Sequence, residues 1–106
     1  MTFEESLKNL PSHVIWALFR EKMLAEGRYN AFVFLEECKG DIACVKERIH
    51  WYENKLADPA AIAKGQPYAP NTSVRLHADG HLAGLKDILK ILAQAEREPQ
   101  PVKPTP

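Results

Sequence analysis

A row of apolar residues at heptad spacing runs through the middle of the sequence, and we call it the seam. Its members, separated by steps of three and four residues, are Leu35, Cys38, Ile42, Val45, Ile49, Tyr52 and Leu56. On a helix this spacing places all of them on one face, while the residues between them are mostly polar or charged. The seam therefore predicts an amphipathic helix whose apolar face needs a partner surface.

A second apolar stripe near the end of the chain can supply that surface. Its residues recur at helical spacing within a predicted last helix over residues 85–98, and they are Leu85, Ile88, Leu89, Leu92 and Ala95. We therefore expect the last helix to cover the part of the seam between residues 42 and 56.

The length and composition fit one small helical domain. The 106 residues are 45% hydrophobic and 26% charged, which is typical of globular proteins. We predict an all-α domain over residues 1–98, built as a small bundle of four to five helices that begins with a capped helix at Thr2. The Pro-rich residues 99–106 are expected to form an extended tail, because so many prolines exclude a helix.

Three places interrupt the helical pattern. Gly27 is expected to end the helix that begins near Pro11, because glycine suits the left-handed position after a helix. Gly40-Asp41 fits a helix end followed by a new cap, yet the seam stays in phase across it, so a break and one long helix both remain open. The turn signal Ala78-Asp79-Gly80 predicts a minor β-hairpin near residues 74–83.

Two segments are apolar on every side. Residues 14–19 are six apolar residues in a row, which on a helix cover the whole circumference, and residues 31–35 repeat the pattern. Such segments are either enclosed by other helices or contact a second chain. Trp51 points about 100° away from its neighbour Tyr52 on the seam helix, so it also needs a second surface.

The surplus of apolar surface predicts a binding function. We expect a small regulatory protein of bacterial or phage type that forms a homodimer and binds, modulates or inhibits a larger protein, such as a transcription regulator or an enzyme. The predicted partner-binding residues are Trp16, Phe19, Trp51, Tyr52 and Lys55. The sequence shows no Gly-x-Ser-x-Gly context and no glycine-rich phosphate loop, so we expect no catalytic residues, no cofactor and no enzyme activity.

The segment Gly40-Asp41-Ile42-Ala43 resembles the start of the two-helix unit in Fis-type DNA-binding domains, where Gly-Asn/Asp-Ile opens the first helix. The resemblance covers four residues and implies, as the alternative function, a helix-turn-helix DNA-binding regulator. The chain departs from that pattern at residues 46–50, which continue a helix where a Gly-containing turn belongs. Its 14 basic and 14 acidic residues give zero net charge, which argues against nucleic acid as the partner.

Histidines and cysteines give two further expectations. His77 and His81 flank Asp79, a set able to ligate zinc, but the turn predicted there favours solvent-facing histidines without a metal. Cys38 and Cys44 would point to different faces of one continuous helix, so we expect reduced core thiols, with a reactive redox pair as the alternative.

The chain carries no run of the about 20 apolar residues that a membrane-spanning helix needs. Its N-terminal sequence lacks the charged-then-apolar order of a secretory signal. We therefore expect a cytoplasmic protein that does not interact with a membrane.

Overall fold

The computed structural model describes residues 8–97 of the chain. Within that range there are three helices and no strand, and the helices are α1 (Ser12–Glu37), α2 (Ile42–Ala57) and α3 (Ser73–Arg97). The all-α prediction is therefore confirmed, but the predicted number of four to five helices is not matched. Most of the expected helix at Thr2 and the whole tail at 99–106 lie outside the described residues.

The β-hairpin predicted near residues 74–83 is wrong, because that segment forms the first part of α3. Thr72 begins this helix, since its hydroxyl accepts a hydrogen bond from the amide of Arg75 at 3.1 Å. Gly80, which suggested a turn, lies where α3 crosses α1. A β-carbon on Gly80 would overlap the backbone of Leu24, so glycine serves the close approach of two helices here.

Gly27 likewise does not end a helix, because α1 continues through it to Glu37. It is buried against the backbone of His77 in α3, and a third close approach places Gly84 beside Ala31. Because Gly80 neighbours Leu24 and Gly84 neighbours Ala31, contacts advance along both helices together. The two long helices therefore run in the same overall direction and cross through small residues.

The hydrophobic core lies where α3 covers the seam. Val45 and Ile49 of α2 pack with Leu85 and Ile88 of α3, and all four side chains are buried. Around them lie partly buried apolar residues of the seam and of the last helix, namely Leu35, Tyr52, Leu89 and Leu92. The prediction that the C-terminal stripe covers the seam is thus confirmed.

The helix that carries the seam is broken between α1 and α2, which decides between the two alternatives left open by the sequence. Lys39 and Gly40 have positive φ angles of 55° and 74°, a left-handed conformation that ends α1. Asp41 then caps α2, because its carboxylate accepts a hydrogen bond from the amide of Ala43 at 3.0 Å. The seam stays on the buried side of the chain across this turn.

The same turn brings Cys38 and Cys44 together in a disulfide, with their Cα atoms 5.8 Å apart. The prediction of reduced thiols is therefore wrong. It rested on one continuous helix, in which the two side chains diverge, whereas the turn folds the second cysteine back beside the first. None of the helices in residues 8–97 combines the length and apolar character needed to cross a lipid bilayer.

Candidate functional site: an aromatic cleft beside the disulfide

A cleft separates the second half of α1 from α2. It consists of two cavities of about 410 Å³ and about 190 Å³ that share the side chains of Phe34, Arg48 and Tyr52. We call the two cavities together the aromatic cleft. The other side chains that line it are Asn30, Val33, Glu37, Cys44, Glu47, Trp51, His77 and His81.

Arg48 occupies the centre of the aromatic cleft. Its Nε donates a hydrogen bond to Nε2 of His81 at 3.1 Å. Its guanidinium carbon lies 4.0 Å from the ring centroid of Phe34 and 5.7 Å from that of Tyr52, so two aromatic faces stabilise the cation. Among the described residues no carboxylate forms an ion pair with Arg48. The cleft therefore contains a positive charge that is held by rings and by an imidazole.

His81 forms the floor beneath Arg48 and is only 3% exposed. Burial lowers the pKa of His81, and the nearby Arg48 guanidinium lowers this pKa further, because both disfavour the charged imidazolium. The backbone of Gly27 opposes the shift, yet Nδ1 has no well-formed hydrogen bond within the described chain. Because Nε2 accepts from Arg48, the neutral ring carries its proton on Nδ1.

The other members of the histidine motif have separate partners. Nε2 of His77 lies 2.7 Å from the side-chain nitrogen Nδ2 of Asn30, and the carboxylate of Asp79 pairs with Arg75 at 3.0 Å. The expectation of solvent-facing turn histidines is wrong for His81, which is helical and buried. Residues 8–97 contain no group of three His, Cys, Asp or Glu side chains arranged to hold a metal ion.

Trp51 and Tyr52, both predicted site residues, form one wall of the aromatic cleft. Their rings meet edge to face with centroids 4.9 Å apart, and Trp51 is 50% exposed. Tyr68, from the loop between α2 and α3, lines an adjoining cavity of about 250 Å³ with Tyr52 and Met23. Burial raises the pKa of Tyr68, with Tyr52 as the second cause and Arg48 acting in the opposite direction.

The other two predicted aromatic residues lie in the N-terminal half of α1. The rings of Trp16 and Phe19 are 5.7 Å apart, and these side chains are 41% and 37% exposed. Lys55 is exposed on α2 and has no ion pair within the described residues. The structure thus groups four predicted residues into two aromatic pairs, and no ring contact joins the pairs in residues 8–97.

Sequence reasoning did not place Phe34, Arg48 or His81 in one site. Part of the signal is local, because Cys44, Arg48 and Trp51 follow one another at steps of four and three and so share a helix face. Phe34 and His81 come from other helices, and only the packing of all three helices brings them to that face.

The aromatic cleft combines apolar ring faces with one guanidinium and, at its edges, the carboxylates of Glu37 and Glu47. Aromatic and arginine side chains are the types most often found at the centre of protein interfaces. The chain matches no protein-family model, no curated protein and no solved structure.

Proposed function

We propose that this chain is a small regulatory protein–protein interaction module that forms a homodimer and binds a larger protein, which it modulates or inhibits. The observation that carries the proposal is the exposure of residues 14–19 at the start of α1, none of which is buried. Trp16, Leu18 and Phe19 are each more than one third exposed. Large apolar patches of this kind typically mark interaction sites.

The hydrophobic effect favours burial of the apolar patch at residues 14–19 against another surface. Full burial of one large apolar side chain stabilises the state in which it is buried by about 1.5–3 kcal/mol relative to its exposure to water. Trp16 and Phe19 already contact each other, so a partner surface meets a preformed pair of rings rather than two independent side chains. A second copy is the simplest cover, because the two-fold symmetry of a homodimer pairs the patch with itself.

We assign the binding of the larger partner to the second aromatic pair, Trp51 and Tyr52. Trp51 and Tyr52 lie on α2 at the aromatic cleft, with exposed Lys55 one helical turn after Trp51. A module with two separate aromatic surfaces can hold its own copy on one and a regulated protein, such as a transcription regulator or an enzyme, on the other. The proposal includes a cytoplasmic location and no catalytic role.

Sedimentation equilibrium of the purified chain at micromolar concentrations tests the homodimer. We expect the wild type to dimerise and the double variant Trp16→Ala/Phe19→Ala to be a monomer with the same helical circular dichroism. Glu21→Ala changes an exposed residue of the same helix and is the matched control, which should still dimerise. A wild type that sediments as a monomer at all concentrations contradicts self-association.

Affinity capture from cells, followed by binding measurements with the purified captured protein, tests the larger partner. Trp51→Ala should lower the affinity of that protein by at least about tenfold, as truncation of a hot-spot residue typically does. Glu53→Ala, an exposed neighbour on α2, is the control and should change the affinity little. Equal affinities for the wild type and Trp51→Ala contradict the assignment of the partner to this cleft.

The competing function, a helix-turn-helix DNA-binding regulator, makes a different prediction. Such a protein binds duplex DNA with an affinity that falls steeply between about 50 and 200 mM salt. We expect the chain to show no such binding, because its net charge is zero and α2 runs from Ile42 to Ala57 without the required turn. Fluorescence anisotropy with labelled random duplex DNA separates the two functions.

A further inference from the structure

We propose that the Cys38–Cys44 disulfide is a thiol-exchange site, at which a small thiol such as glutathione attacks Cys44 and forms a mixed disulfide within the aromatic cleft. This modification site goes beyond the interaction function proposed above. The chemistry does not depend on that function, although a glutathionyl group in the cleft would occupy the space assigned to the larger partner.

The surroundings of the two sulfurs decide which one the thiol reaches. Cys38 is 8% exposed and belongs to the hydrophobic core cluster. Cys44 is only partly buried and lines the larger cavity of the aromatic cleft, whose volume of about 410 Å³ lies within the usual range of small-ligand sites. An incoming thiol therefore has access to Cys44, and Cys38 is the sulfur that leaves.

The charges around Cys44 also bear on the reaction. Cys44 lies in the first turn of α2, where the positive end of the helix dipole stabilises an approaching thiolate. Arg48 lines the same cavity one helical turn later and has no carboxylate partner among the described residues, so it attracts the carboxylates of glutathione. Opposing them are the carboxylates of Asp41, which caps α2, of Glu47 on α2 and of Glu37 on α1.

The reaction balances as an ordinary disulfide exchange. The thiolate of glutathione forms a bond to Sγ of Cys44 while the Cys38–Cys44 bond breaks, and the electron pair leaves on Sγ of Cys38, which takes a proton from solvent. A second glutathione can then attack the mixed disulfide, which releases oxidised glutathione and the Cys44 thiol. Two thiols are oxidised for each protein disulfide that is reduced.

The cytoplasmic location expected from the sequence also favours an exchangeable disulfide. Disulfides in cytoplasmic proteins are usually transient and serve catalysis or redox sensing, because glutathione and thioredoxin systems keep thiols reduced. A cytoplasmic location and a Cys38–Cys44 disulfide are therefore compatible when the disulfide exchanges with the thiols around it.

Incubation of the oxidised full chain with glutathione buffers, followed by acid quenching and intact mass spectrometry, tests the proposal. We expect the wild type to open in millimolar reduced glutathione. In Cys38→Ser, the Cys44 thiolate should attack oxidised glutathione, keep one glutathionyl group and release one reduced glutathione, and peptide mapping should place this stable mixed disulfide at Cys44. Cys44→Ser should react at least about tenfold more slowly, because its remaining thiol is buried.

Two charge variants test whether the cleft itself receives the thiol. Arg48→Gln should slow the opening of the wild-type disulfide by glutathione at least about threefold, whereas Asp41→Asn, which keeps the helix cap, should accelerate it. Circular dichroism confirms the fold of each variant.

A wild-type disulfide that stays closed in millimolar glutathione overturns the proposal. Equal adduct rates for Cys38→Ser and Cys44→Ser, or equal rates for the two charge variants, overturn the assignment of attack to Cys44 in the cleft.

Discussion

Gly27 of α1 lies so close to the backbone of His77 in α3 that a β-carbon on Gly27 would overlap the His77 carbonyl oxygen. The same β-carbon would lie 2.7 Å from the amide nitrogen of His81. This crossing sets the positions of His77 and His81, which both line the aromatic cleft. The crossing of α1 and α3, where Gly27 has no side chain, therefore determines the geometry of the aromatic cleft.

Substitution Gly27→Ala is expected to destabilise the fold strongly. The added methyl group meets backbone atoms that cannot move aside without shifting a whole helix, and such overpacking typically costs about 1–3 kcal/mol. Because the overlapping atoms belong to the backbone, we expect the upper end of this range, which exceeds the gain of about 1 kcal/mol that alanine brings to a helix interior. Urea unfolding followed by circular dichroism measures the change.

The control for this substitution is Ala25→Ser, at an exposed position one half-turn earlier on α1. It should leave the free energy of unfolding within about 0.5 kcal/mol of the wild type, as surface changes usually do. If Gly27→Ala proves as stable as the wild type, the close crossing of α1 and α3 is wrong.

The buried His81 predicts that the protein loses stability in acid. Burial, followed by the Arg48 guanidinium, lowers the pKa of His81 below its ordinary value of about 6.5, so the unfolded chain binds the proton more readily than the folded one. The stability contributed by the neutral ring is complete above about pH 6.5 and is lost as the pH falls through the folded-state pKa. We expect the free energy of unfolding to fall between about pH 7 and pH 5.

The variant His81→Asn isolates this contribution. At about pH 8, where the imidazole is neutral in both states, its effect reports the lost packing and the lost hydrogen bond from Arg48, and the further change at lower pH reports protonation. The fall in stability from pH 8 to pH 5 should be smaller in His81→Asn than in the wild type. Identical pH dependences would contradict a neutral His81 in the folded protein.

The sequence predicts the core of this fold through its apolar periodicity. Val45 and Ile49 are four residues apart and Leu85 and Ile88 are three apart, and both spacings keep the two side chains on one face of a helix. The cap at Asp41 is also local, because its carboxylate binds an amide two residues later. These features could be predicted because each depends on neighbours along the chain.

The parts that the sequence does not predict depend on contacts between distant segments. Glycine is favoured both in turns and at close helix crossings, so the residue type at position 80 does not distinguish the two. Only the proximity of the Leu24 backbone shows that Gly80 lies at a helix crossing. The site divides in the same way. Trp51 and Tyr52 are visible in the sequence, whereas His81 joins them only because α3 packs beneath α2.

Arg48 is expected to be replaceable by lysine only at a cost in stability. Lysine lacks the planar guanidinium that lies over Phe34 and the Nε–H that hydrogen-bonds to His81. Loss of one hydrogen bond and one cation–π contact in a partly buried site should lower the free energy of unfolding by about 1–2 kcal/mol. The exposed Arg20→Lys is the matched control and should change it by less than about 0.5 kcal/mol. Equal stabilities for the two variants would exclude a structural role of Arg48.

The two tryptophans of the chain, Trp16 and Trp51, can report separately on its two aromatic surfaces. If the homodimer forms through the start of α1, as proposed, Trp16 leaves water on association while Trp51 stays half exposed. In Trp51→Phe, where Trp16 is the one remaining tryptophan, the tryptophan emission maximum should shift to shorter wavelength as the concentration rises from nanomolar to micromolar. In Trp16→Phe, where Trp51 is the one remaining tryptophan, the emission maximum should stay constant over the same range. Sedimentation serves as the control that Trp16→Phe, which keeps an aromatic ring at the position, still dimerises. A shift confined to the variant that retains Trp51 would instead place the dimer interface at the aromatic cleft, and the larger partner would then need another surface.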